Sequence, residues 1–150
     1  MLMNTKMSVR RLCLGTLAVS AFLGLACAQP RNVHERVWDS LEFESSGDVI
    51  ATEEDELTNT TIWYIANDLT RDYEQSMRVP EGFKEQLAGP IYSEGAFETV
   101  QWWKGPHPTE SDENCLIELR RVNDGLELSR MAFEPRLEAA ESMVEISCGD

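Results

Sequence analysis

Basic side chains are scarce in this chain: 13 lysines and arginines stand against 27 aspartates and glutamates, a formal net charge of −14. Such a balance repels nucleic acid and anionic lipid, so neither is expected as a partner. Histidine is nearly absent, with only His34 and His107. Zinc sites need three or four ligands at recognisable spacings, and no His-Glu-x-x-His occurs. Cys-x-x-Cys, Gly-x-Ser-x-Gly and phosphate-binding glycine loops are all missing. No cofactor or metal is therefore expected, and binding is favoured over catalysis. After residue 30 no apolar run is long enough to cross a bilayer.

The one long uncharged run lies at the start. Lys6, Arg10 and Arg11 precede Leu12–Ala28, which carries no charge. A basic n-region followed by an apolar h-region reads as an export signal over residues 1–28. The sequence Ala26-Cys27-Ala28 is an A-x-A cleavage site and would leave Gln29 as the first mature residue. The overlapping letters Leu23-Gly24-Leu25-Ala26-Cys27 resemble a bacterial lipobox. That resemblance implies a signal ending at residue 26 and a lipid anchor on Cys27. It departs from the usual pattern at Gly24 and at the bulky Leu25. The expected location is secreted or periplasmic, with an outward-facing membrane-anchored lipoprotein as the alternative.

Residues 29–150 then form one acidic domain. Loss of Lys6, Arg10 and Arg11 leaves ten basic residues against all 27 acids, a charge of −17. Trp38, Trp63, Trp102 and Trp103, with Phe43, Phe83, Phe97 and Phe133, supply material for a core that a disordered acidic tail would lack. Cys115 and Cys148 remain as an even pair in an oxidising compartment, and a disulfide between them is expected.

Periodicity predicts the elements. Val33, Val37 and Leu41 recur at four behind Asn32, which fits a short capped helix leading into a strand near Phe43. The run Glu53-Glu54-Asp55-Glu56 reads as an exposed loop or helix start, because like charges repel. Without alternating oxygen ligands and a central glycine it is no calcium loop. Ile62, Ile65, Leu69 and Tyr73 recur at three and four, predicting an amphipathic helix of about four turns. Pro80 to Gly89 reads as a second, short helix ending at glycine. Residues 96–103 alternate as a strand, as do Cys115–Val122 and Val144–Cys148. Asn123-Asp124-Gly125 predicts a hairpin turn into a strand over 126–133. The fold class is α+β: a single small domain with an antiparallel four- or five-stranded sheet. One longer helix and one or two short ones pack on it. Cys115 begins one strand and Cys148 ends another, so antiparallel pairing of the two would bring the sulfurs together.

Candidate partner-binding residues are Trp102, Trp103 and His107, beside the proline-rigid Lys104–Pro108 loop, together with Glu53, Glu54, Asp55 and Glu56. Adjacent strand residues face opposite ways, so only one tryptophan can enter a given core and the other is left for an edge or a recognition surface. No catalytic, cofactor-binding or metal-binding residue is assigned. The function expected is an exported acidic protein that recognises a basic protein, as inhibitor, immunity factor or envelope accessory. A disulfide-stapled structural domain is the alternative, and a carboxylate-dependent hydrolase the third.

Overall fold

A computed structural model describes residues 32–44, 48–87 and 93–149. The expected export segment 1–28, with Cys27, lies outside the described residues. No helix among those described is long and apolar enough to cross a membrane.

Helix α1 (Val33–Asp39) opens where Asn32 accepts a 3.0 Å hydrogen bond from the His34 amide, and its four-residue spacing buries Val37. Strand β1 (Glu42–Phe43) follows, then β2 (Val49–Asp55) and β3 (Thr60–Ile65) as a hairpin. A single helical turn α2 (Tyr73–Ser76) leads into β4 (Met77–Arg78), which pairs antiparallel with β1 as a separate two-stranded sheet. Short strands β5 (Lys84–Glu85) and β6 (Ser93–Glu94) precede the long β7 (Phe97–Pro106) and β8 (Asn114–Val122). Helix α3 (Gly125–Ala132) and a 3-10 helix (Pro135–Ala139) then carry the chain to β9 (Ser142–Cys148).

The main sheet runs β2-β3-β9-β8-β7-β5, and β6 joins β7 further along the same outer edge. Every pairing is antiparallel. The class is α+β as expected, but the sheet exceeds four or five strands. The additional strands come from segments that local periodicity assigns otherwise. Residues 60–65 form a strand, not a helix: Ile65 enters the core on one face while Ile62 and Tyr64 pack on the other. A strand covered on both sides loses the period-two signature. Residues 80–87 hold strand β5 instead of a helix, and Glu53–Asp55 belong to β2 instead of a loop. Residues 125–132 form a helix because Asp124 caps it, accepting a 3.0 Å bond from the Glu127 amide.

Two cores result. On the face under α1, Trp63, Ile65, Trp103, Ile117, Leu119, Val144 and Ile146 pack with Val37, Leu41, Leu69 and Met77. Burial of each such aliphatic side chain contributes about 1.5–3 kcal/mol. At one end of the opposite face, Tyr64, Ala96 and Met143 pack with Leu128, Leu137 and Ala140 from α3, the 3-10 helix and its exit. Gly105 in β7 lets the Phe83 ring lie directly on the backbone: an added Cβ would meet the ring at 2.4 Å.

Cys115 and Cys148 are direct cross-strand partners of β8 and β9 and form the expected disulfide. Both residues are essentially without solvent exposure.

Candidate functional site

Among the described residues, α3 and the 3-10 helix pack on one end of the second face. Register places five residues in a line across that face, one from each of five adjacent strands. Glu53 opposes Ile62, Ile62 opposes Glu145, Glu145 opposes Glu118, and Glu118 opposes Trp102. Glu53 is exposed and the other four are half-buried. Side chains alternate along each strand, so these five share the face away from Ile117, Val144 and Trp63.

Like charges directly opposite each other destabilise a sheet, and Glu118 and Glu145 are such a pair. Arg120, one step along β8 on the same face, resolves the conflict. Its Nε and one terminal nitrogen donate to Glu118 at 2.9 Å each, and the same terminal nitrogen lies 3.3 Å from a Glu145 oxygen. The guanidinium also sits 4.8 Å from the centroid of the Phe97 ring. The Thr99 hydroxyl donates a further bond to Glu118. Burial raises the pKa of Glu145 above the ordinary glutamate value, Arg120 opposes that shift, and Glu118 adds to it. Tyr64 donates to Glu53 at 2.8 Å. Burial, and then the bond to Glu53, drive its phenol well above the ordinary tyrosine value, so it stays protonated and donating.

One hollow lies on each face of the sheet near β3, and the one on the face away from α1 also reaches β2. On the α1 face, one of about 270 Å3 is lined by Glu35, Trp38, Asp39 and Trp63. Trp38 and Trp63 stack there with centroids 4.6 Å apart and planes within 7°. On the other face, one of about 230 Å3 is lined by Ala51, Thr52, Glu53, Tyr64, Ala132, Glu134 and Leu137. Each hollow thus combines an aromatic wall with two carboxylates.

The sequence candidates divide between these surroundings. Trp103 is 5 % exposed in the α1-face core, with Tyr73 edge-on to it at 6.0 Å. Trp102 faces the other way, in the acidic row. Glu53, Glu54, Asp55 and Glu56 are all exposed, and the first three lie on β2. The Asp55 carboxyl is held below its ordinary pKa by hydrogen bonds from the Thr58 side chain and the Leu57 amide. The structure therefore brings Trp102 and Glu53 into one row and leaves Trp103 and His107 outside it.

His107 stands at the end of β7 beside the disulfide, its ring and the two sulfurs within 4.8 Å of one another. Oxidised sulfurs offer no thiolate to a metal. The ring also faces the wrong way chemically. Its Nδ1 accepts from the amides of Thr109 at 3.2 Å and Glu110 at 3.0 Å, which places the proton on Nε2. His34 is 3 % exposed and bonded through Nδ1 to Thr61 Oγ1 at 2.8 Å, while among the described residues its Nε2 meets no partner in full hydrogen-bond geometry. Burial lowers its pKa, against the opposing pull of the Asn59 carbonyl and Glu54.

Sequence reasoning missed Glu145 as a partner of Glu118, and it missed both hollows. Alternation on β8 and β9 carried a signal for the pair, since positions 118, 120 and 145 interleave with the core positions 117, 119, 144 and 146. Comparison with protein-family models, with curated proteins and with solved structures finds no match.

Proposed function

We propose that this chain is an exported acidic binding domain that recognises a basic protein, acting as an inhibitor, an immunity factor or an envelope accessory. The observation that carries the reading is the row Glu53–Ile62–Glu145–Glu118–Trp102 on the sheet face away from α1. It offers an extended negative surface with an indole at one end and an aliphatic side chain within it. Carboxylates fixed on a sheet steer a cationic partner and discriminate against acidic ones, while the partly exposed indole supplies contact area. Arg120 holds Glu118 and Glu145 in place without removing the net negative charge of the row. The leader-like segment 1–28 and the buried disulfide agree with work in an oxidising compartment.

The test is affinity capture from the native envelope or secreted fraction, run at low and at moderate salt, with the Trp102→Ala variant in parallel. The expected result is one basic protein retained stoichiometrically at both salt levels and weakened about tenfold by loss of the indole, an ordinary anchor-residue effect. A mixture of basic proteins that washes off with salt, equally for both forms, would make the charge a solubility property only.

A further inference from the structure

We infer that the partner is engaged by strand addition: an extended segment rich in lysine or arginine pairs with the outer edge of β2. This inference rests on the binding reading above and names how the partner is held.

Among the described residues β2 pairs with β3 alone, leaving one edge of a seven-residue strand unpaired. The opposite edge of the sheet differs, because β5 covers one end of β7 and β6 the other. All of β2 is exposed or half-exposed, and it contains no proline to break a ladder. An open edge of this kind supplies a row of main-chain donors and acceptors to any extended segment.

Charge selects the occupant. Glu53, Glu54 and Asp55 lie on this strand, and Glu56 follows it. A second copy of the chain would set these acids against themselves, so self-pairing is opposed. A cationic segment would be drawn in. Its side chains would alternate between the two faces of the sheet, and on the face away from α1 an acidic hollow reaches β2. A residue of the segment opposite Thr52 falls on the α1 face. Its neighbours in the segment fall on the other face, beside Tyr64, Glu53 and Glu134. An aromatic wall with two carboxylates suits an ammonium or guanidinium on an apolar stem. The edge therefore reads out an extended chain with a cation on every second residue.

The test uses the purified protein and three synthetic ten-residue peptides: one alternating lysine and threonine, the same peptide N-methylated at every second backbone nitrogen, and a glutamate-for-lysine counterpart. Affinity is measured by titration, and amide exchange of residues 49–55 is followed by NMR. Strand addition predicts binding of the lysine peptide with slowed exchange confined to β2. Methylation, which keeps charge but removes donors, should weaken binding about tenfold or more, as the loss of several main-chain bonds requires. The glutamate peptide should not bind. Equal affinity for the methylated and unmethylated peptides overturns strand addition and leaves a charge-only interface. Slow exchange of the β2 amides that face away from β3, before any peptide is added, overturns it too, since another part of the chain or a second copy would then hold the edge. If a captured basic partner protects the Trp102 row and not β2, the binding reading stands and strand addition falls. If no basic ligand binds anywhere, both fall.

Discussion

Replacing Cys115 and Cys148 together by alanine removes a cross-link between strands that already share a ladder. The loop it closes has a sequence separation of 33. The chain-entropy relation for that length gives about 3.7 kcal/mol at 25 °C. Loss of sulfur packing adds to this, since both side chains sit in the core under α1. Against a net stability of about 5–15 kcal/mol for ordinary domains, this is a large share. For a domain of this size the melting temperature should fall by roughly 10–20 °C. Scanning calorimetry of the oxidised protein and the double variant measures it directly. Chemical reduction offers a second readout: with both sulfurs buried, a small thiol should gain access only when β8 and β9 separate, so reduction should track global unfolding. A melting temperature within about 3 °C of the parent, well below the shift expected for such a cross-link, would refute the reasoning. It would show that the unfolded chain is already constrained or that the remaining sheet carries the stability alone.

Three other perturbations follow from the geometry. Gly105→Ala puts a methyl into the Phe83 ring and should cost about 1–3 kcal/mol in urea denaturation; Phe83→Leu in the same chain should restore part of it, and simple additivity would contradict the contact. Arg120→Met leaves Glu118 opposite Glu145 without a cation and should destabilise by about 1.5–3 kcal/mol. Glu145 already binds its proton more readily folded than unfolded, so its cost is present at high pH and relieved as pH falls. The deficit of the variant should accordingly shrink on moving from pH 7 towards 5. His34 behaves oppositely: folding lowers its pKa, so its contribution is complete above the ordinary histidine value and lost as pH falls from there to its folded value. His34→Gln should therefore flatten the stability profile below pH about 6.5 relative to the parent, and superimposable profiles would contradict the burial argument.

The elements best read from the sequence were those whose partners leave a local trace. Strands β7, β8 and β9 alternate, and the cysteines at the ends of two of them are consistent with the antiparallel pairing that joins the sulfurs. The opposite orientations of Trp102 and Trp103 follow from strand geometry alone. The failures have a common cause in tertiary context. Ile62, Ile65, Leu69 and Tyr73 sit at helical spacing, yet in the fold they occupy two faces of β3, a turn and a separate helical turn. Periodicity cannot separate a doubly covered strand from a helix. Asn123-Asp124-Gly125 was ambiguous in another way: the same residues that make a hairpin turn also cap a helix. Glu127, three residues after Asp124, carried the capping-box signal that decides between them. The acidic row was partly legible as alternation, but which strands lie side by side, and so which carboxylates meet, is set by long-range pairing of β3 with β9.

The most direct test of the central claim is the stoichiometry and salt response of the complex with a purified basic partner from the native compartment, followed by titration calorimetry and stopped-flow association. A saturable one-to-one complex is predicted, with an association rate that falls steeply as salt is raised while the complex persists at moderate salt. Binding without fixed stoichiometry, abolished at moderate salt, would contradict the account and leave the acidic surface with no specific partner.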